Sequence, residues 1–295
     1  MTSRGQHRDL LGRLREGVLI CDGAMGTLLA REGYRAGDAL ELLSVERPDA
    51  IRAVHRAYVE AGAELILTNT FQANSPALAR HDLADRMSEL VTAAVALARG
   101  EAGDRVFVGG DIGPTGKILE PYGDYPEAEA RTAFADQARL LVEGGADLIV
   151  LETFSSLEEI EIAAQAAVET GVPIAASMSF DPSGRTAFGV TPEQAASRLQ
   201  AAGAAIVGAN CGTVTPLEIV EVVAKFKAAT DLPIMVQPNA GRPQQTAAGT
   251  VYPEGPETMA EAAVRQREAG ATIIGTCCGS TPEHTRAIVA RLVQS

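Results

Sequence analysis

The stretch Ala61-Gly62-Ala63-Glu64-Leu65-Ile66-Leu67-Thr68-Asn69-Thr70-Phe71 carries the pattern that decides the fold. A small-residue turn leads into a short apolar run, and the run ends in polar residues. Glycine in such a turn suits a helix C-cap in the left-handed conformation, from which the chain turns straight into a strand. The turn recurs as Gly144-Gly145-Ala146, Ala202-Gly203-Ala204 and Ala269-Gly270-Ala271, each time before another apolar run. The full set of such runs is 18–21, 65–68, 106–109, 148–151, 174–177, 206–209, 234–236 and 273–275, and the small-residue turns introduce every second one. Runs five and seven enter instead through Val172-Pro173 and Leu232-Pro233, so the unit is a pair of modules repeated four times.

Between the runs lie segments with apolar residues at i, i+3, i+4 and i+7, such as 128–142 and 218–228, which predict amphipathic helices. Short strands that are apolar almost throughout are buried on both faces, as in a parallel sheet. Eight of them alternating with helices predict an α/β fold, a closed (β/α)8 TIM barrel. Residues 18–295 then form a single domain behind a polar N-terminal leader, 1–17. The Gly-, Pro- and Gln-rich segment 239–256 is expected either as a lid or as an ordinary surface loop.

Composition narrows the function. The chain has 295 residues, with 25 Lys and Arg against 38 Asp and Glu, a net charge of −13. So acidic a chain repels phosphate, which argues against nucleic acid and anionic membrane surfaces as partners. No apolar run reaches the ~18–20 residues that span a bilayer, and no apolar secretion segment follows the polar start. The expected setting is therefore cytoplasmic and reducing. Four cysteines in this length exclude a disulfide scaffold.

Active sites of such barrels sit at the C-terminal ends of the strands, and the polar residues of this chain gather there. Asp22-Gly23-Ala24-Met25-Gly26-Thr27 follow run one, Thr68-Asn69-Thr70-Phe71 follow run two, and Gly110-Asp111-Ile112-Gly113-Pro114-Thr115-Gly116 follow run three. Glu152-Thr153-Phe154, Asn210-Cys211-Gly212, Pro238-Asn239-Ala240-Gly241 and Thr276-Cys277-Cys278-Gly279 follow runs four, six, seven and eight. Three of the four cysteines thus share one face, on strands two apart. Inert buried thiols or a redox pair are alternatives for Cys211, Cys277 and Cys278, but their common placement favours a metal site. Zinc takes four tetrahedral ligands, and three thiolates leave one position open. The C-x2-C pairs of structural zinc modules are missing.

Three thiolates donate so much charge that zinc becomes a poor Lewis acid for a carbonyl. Such a site is better suited to binding a further thiol and holding it as thiolate. A free alkyl thiol, with a pKa of ~8.5, is only a few per cent ionised at pH 7. Coordination removes the proton while the sulfur stays nucleophilic. The chemistry suggested is alkyl transfer to a thiol.

These motifs, from Asp22-Gly23 through Thr68-Asn69-Thr70-Phe71, Glu152-Thr153-Phe154 and Asn210-Cys211-Gly212 to Gly275-Thr276-Cys277-Cys278-Gly279, resemble the homocysteine S-methyltransferase family in the same order. The likeness runs from about Val18 to Val293. Gly113-Pro114-Thr115-Gly116-Lys117, Leu119-Glu120-Pro121 and Pro238-Asn239-Ala240-Gly241 look most like the homocysteine-binding barrel of the cobalamin-dependent methionine synthases. The resemblance implies Cys211, Cys277 and Cys278 as zinc ligands and homocysteine as the methyl acceptor, with methionine as product. It implies that Asp22 and Gly23 help hold the amino acid's backbone end, that Thr70 belongs to the same pocket, that Glu152 receives the ammonium, and that Asn239 can occupy the metal without substrate. Before the resemblance, Glu152 reads equally well as a strand-end carboxylate and Asp22 as a turn residue.

The methyl donor implied is methylcobalamin on a separate corrinoid protein or domain, since one barrel's length has no room for a folate or cobalamin module. Betaine or S-methylmethionine as donor, another thiol as acceptor, and a non-catalytic zinc- or thiol-binding subunit of a corrinoid complex are the competing readings. The chain lacks the C-terminal extension expected of betaine-dependent relatives. His7, His55, His81 and His284 are expected to be solvated, and Cys21 to pack inside the first strand.

Overall fold

The computed structural model describes residues 9–34, 37–247 and 249–293. Eight parallel strands form one sheet: β1 (Leu19–Ile20), β2 (Leu65–Leu67), β3 (Phe107–Ile112), β4 (Leu148–Phe154), β5 (Ile174–Met178), β6 (Ile206–Cys211), β7 (Ile234–Pro238) and β8 (Ile273–Ile274). Each pairs with the next in chain order, β8 pairs with β1, and the bridge between Cys21 and Leu65 closes the ring. The (β/α)8 barrel is therefore closed, and all eight expected runs supply its strands. Helices Glu127–Glu143 and Ile219–Ala229 fall within a residue of their expected positions.

The repeated glycine turn has one geometry throughout. Gly62, Gly145, Gly203 and Gly270 have φ of 101°, 104°, 98° and 113°. In each, the following alanine N–H bonds back to the carbonyl five residues earlier, as in Ala63 to Tyr58 and Ala146 to Leu141, both at 3.0 Å. These bonds satisfy carbonyls that the helix end would otherwise leave without partners.

Alternation along the strands fills the barrel. Leu19, Cys21, Leu65, Phe107, Leu148, Val150, Ala175, Ile206, Met235 and Ile273 form one interior cluster, while their neighbours pack outward on the helices. Of the stretch expected as a polar leader, residues 10–13 form a short helix whose Leu10, with Leu14 just beyond, joins the interior cluster and closes the barrel floor.

Segment 239–256 contains an exposed antiparallel hairpin, Gln244–Thr246 with Gly249–Val251. Its root is tied down by bonds from Glu254 N to Ala240 O (3.0 Å) and from Ala240 N to Cys278 O (2.9 Å).

Two histidines depart from expectation. His55 is fully buried on the inner face of helix Pro48–Ala61, and burial pushes its pKa down to about 4, so it is neutral. His284 is also buried, its ring bonded to Thr281 and to the Glu254 carbonyl. Both lie on helix faces turned toward neighbouring elements. His81 is half-buried, and His7 lies outside the described residues. Cys21 is buried in the barrel as expected. Among the described residues, no helix is long and apolar enough to cross a membrane.

Candidate active site

The mouth of the barrel is where strand geometry breaks down. Adjacent residues in a strand face opposite ways, so Cys277 and Cys278 can point their sulfurs together only by leaving the strand. The chain does so after Ile274: Cys277 N bonds to Pro238 O at 2.8 Å, Ser280 N turns back to Cys277 O, and Gly279 takes φ 82°. Cys211 ends β6 with φ 53°, and Gly212 follows at 67°. A Cβ on Gly212 would meet Phe180 O at 2.2 Å, so glycine is required there for two separate reasons.

These turns bring the sulfurs of Cys211, Cys277 and Cys278 within 4.8 Å of one another. Cys277 Sγ and Cys278 Sγ are 3.9 Å apart, close to the edge of a tetrahedron with ~2.3 Å zinc–sulfur bonds. The neighbouring Asn239 is fixed by donation from Nδ2 to Gly212 O (2.9 Å), while its buried Oδ1 has no partner among the described residues. Three soft sulfurs with an unsatisfied oxygen beside them fit a four-coordinate zinc. Hydrogen bonds from Cys211 and Cys277 hold Cys278 down to about 3, and bonds to the other two sulfurs together with burial push Cys277 up. Tyr252, at the hairpin root, lies within hydrogen-bonding reach of Cys278, and only a glycine at 279 leaves space for its ring.

Glu152 is half-buried at the end of β4. Burial raises its pKa to about 8, helped by the charges of Cys278 and Asp22. Asn210 donates from Nδ2 to Glu152 Oε2 (3.3 Å) and to Thr153 Oγ1 (2.8 Å), and accepts Thr153 N–H at Oδ1 (2.8 Å). Thr153 is thereby held at φ 64°, a left-handed value that a β-branched residue rarely adopts.

Asp22 accepts Leu67 N–H at 2.9 Å and the Cys21 thiol at 3.4 Å, which seals the seam between β1 and β2. Burial raises it to about 7. Gly23 sits under Thr276, Ser280 and Tyr58, whose hydroxyls would lie within 2.9 Å of any Cβ there. Thr70 is fully buried, bonded to Thr68 Oγ1 (2.6 Å) and donating to Asp111 O (2.7 Å), so it pins the end of β3 rather than opening into the mouth.

Sequence reasoning thus located the sulfurs, Asn239 and Glu152 in one neighbourhood. It assigned nothing to Asn210 and Tyr252; Asn210's position directly before Cys211 in a strand-end motif was the available signal.

The matching model is that of homocysteine S-methyltransferase, over residues 19–292. The chain belongs to the homocysteine S-methyltransferase family. It is 34% identical to methionine synthase of Mycobacterium tuberculosis over 98% of its own length and 26% of that protein's. It is also 34% identical to betaine–homocysteine S-methyltransferase 1 of Danio rerio, over 99% of this chain and 77% of that one. Among solved structures, the metallated form of the homocysteine methyltransferase MmuM from Escherichia coli superposes with a TM-score of 0.79 at 25% identity, covering 96% of this chain and 99% of that one. The chain spans about a quarter of the length of the curated methionine synthases that it matches.

Proposed function

We propose that this chain, as one barrel over residues 18–295, is a zinc-dependent homocysteine S-methyltransferase that takes its methyl group from a methylcorrinoid on another protein or domain and yields methionine. The observation that carries the reading is the convergence of three sulfurs from the ends of β6 and β8, joined to the Glu152 carboxylate through Asn210.

Cys211, Cys277 and Cys278 would hold zinc, with Asn239 Oδ1 at the fourth position when no substrate is bound. Zinc there would supply the positive charge that lets a bound thiol lose its proton near neutral pH. Glu152, steadied by Asn210, accepts the substrate ammonium in a charge-assisted hydrogen bond, which fixes the amino acid so that its sulfur end reaches the triad. Asp22 and Gly23 shape the other side of the pocket, and the buried hydroxyls around Gly23 keep that wall dry and rigid. In the transfer a sulfur–carbon bond forms as the donor–methyl bond breaks, and the thiol proton has already left to solvent.

Support for a macromolecular donor comes from the rim. Among the described residues the exposed large hydrophobic side chains are Ile118, Tyr122, Val168, Phe188, Leu217 and Val251. All but Val168 lie on the loops that follow β3, β5 and β6 or on the hairpin that follows β7, around the mouth. A small donor such as betaine or S-methylmethionine needs no apolar rim, whereas a docking protein does. A donor panel tests the reading: zinc-loaded protein should methylate homocysteine from methylcobalamin and not from betaine or S-methylmethionine. Turnover with betaine alone would reassign the donor, and stoichiometric zinc without turnover from any donor would leave a binding subunit.

A further inference from the structure

We propose that Asp111 is a second acceptor for the substrate's ammonium and the residue that selects an amino-acid thiol over a simple thiol; this rests on the homocysteine reading above. Along β3, Phe107 belongs to the interior cluster, Val108 packs outward, and a Cβ on Gly109 would meet Leu67 and Val150 inside the barrel. Asp111 has the same parity and faces inward at the top. Its Cα pairs with Val150, so Glu152, two residues further along β4 on the same face, is its diagonal neighbour.

The backbone of Asp111 is fully engaged. Its N–H donates to Thr68 Oγ1 (3.0 Å), and its carbonyl accepts from Thr70 Oγ1 (2.7 Å) and Gln137 Nε2 (3.2 Å). Its carboxylate is different: Asp111 is only 5% exposed, and Oδ1 has no partner among the described residues. Gln237, 2% exposed and inward-facing on β7, likewise has an unpartnered Oε1. A buried polar oxygen without a partner costs free energy; Asp111 Oδ1 and Gln237 Oε1 can only accept, and the unpartnered Ser177 hydroxyl on β5 can accept as well. Their complement is a compact cation with several N–H donors, which describes a primary ammonium. Each Asp22 oxygen already accepts one bond, from Leu67 N–H and from the Cys21 thiol, whereas Asp111 Oδ1 accepts none among the described residues. Burial, then the charges of Glu152, Asp22 and Glu41, push Asp111 well above the usual carboxylate range, as expected of an acid whose positive partner has yet to arrive.

The test is calorimetry of the zinc-loaded protein with L-homocysteine and with 4-sulfanylbutanoate, the same thiol acid without its amino group. Asp111→Asn should raise the Kd for homocysteine tenfold or more and change that for 4-sulfanylbutanoate less than threefold, so that the preference collapses. Asp111→Ser should do the same. Without ligand, Asp111→Asn should melt no lower than wild type, since it removes an unpaired buried carboxylate. A variant that keeps the wild-type preference, or one that loses both ligands equally with a lowered Tm, overturns the assignment. Wild-type protein that binds neither ligand overturns the homocysteine reading itself.

Discussion

Asn210 and Thr153 grip each other across the barrel, from β6 past β5 to β4, through two hydrogen bonds of 2.8 Å each. The residue after each inward-facing side chain, Cys211 after Asn210 and Thr153 after Glu152, takes the left-handed conformation. Such strain persists only where the surroundings enforce it, and at Thr153 the enforcing group is the Asn210 amide, which also reaches Glu152. The proposed ammonium acceptor is thus steadied by the residue directly before a proposed metal ligand, Cys211. Asn210→Ala should cost about 1–3 kcal/mol of stability, the usual loss for buried hydrogen bonds. It should weaken homocysteine binding in addition. Calorimetry and thermal melts check both, and unchanged homocysteine affinity would limit Asn210 to the fold.

Cys211→Ala, Cys277→Ala and Cys278→Ala should each lose most bound zinc and all methyl transfer while the barrel stays folded. The three sulfurs sit beyond the interior cluster that holds the strands together. Metal analysis with circular dichroism decides this. Full zinc retention in all three variants would remove the metal assignment.

Glu152→Gln should weaken homocysteine by about 2–5 kcal/mol, the range for truncating one side of a desolvated charge pair. Zinc content should remain at the wild-type level, because among the described residues no hydrogen bond joins Glu152 to a sulfur. An unchanged homocysteine Kd returns Glu152 to a structural role.

The repeat Ala-Gly-Ala was legible because one local requirement, a left-handed residue between helix and strand, recurs and only glycine meets it cheaply. The cysteines were legible because residue type and strand-end position both mark them. Thr70 and His55 show where such reading stops. Thr70 sits in the polar motif after β2, yet its hydroxyl is spent on Thr68 and Asp111. His55 occupies a helix position that shows its buried side only once the neighbouring elements are in place. Asp111 fell within a quoted motif, but an unpaired oxygen is a property of the assembled barrel and leaves no trace in spacing.

In metal-free, ligand-free protein the stability that the raised carboxylates contribute should be lost as pH rises through neutrality. Asp22 rises from 3.8 to about 7 on folding and Glu152 from 4.5 to about 8. Between the unfolded and folded values the native state binds more protons than the unfolded one, so stability is full below about pH 4 for these groups and falls until about pH 8. Each group contributes a slope of at most about 1.4 kcal/mol per pH unit. Cys278 and His55, both held down, act in the opposite direction, so the quantity to measure is a difference: from pH 5 to pH 8 the denaturant midpoint of wild type should fall relative to that of Glu152→Gln. Parallel midpoints in the two proteins over that interval would contradict the raised Glu152 carboxylate.

The last prediction concerns the thiol proton. If the triad with zinc ionises the acceptor, homocysteine binding near pH 7 releases one proton from a thiol that is mostly protonated in solution. The carboxylates complicate the count. Burial raises Glu152 above the usual carboxylate range, so receiving an ammonium drives a carboxylate proton off as well. Methionine carries the same ammonium and no thiol, so it should release the carboxylate share alone. The quantity to measure is therefore the difference between the two ligands, obtained by isothermal titration of zinc-loaded protein in buffers of different ionisation enthalpy. That difference should be close to one proton at pH 7 and should shrink toward zero as pH passes the free thiol's pKa of ~8.5. In Glu152→Gln the total release should fall for both ligands while the difference survives. Equal release by homocysteine and methionine at pH 7 would mean that the sulfur stays protonated on binding, and the thiolate mechanism would fail even with zinc in place.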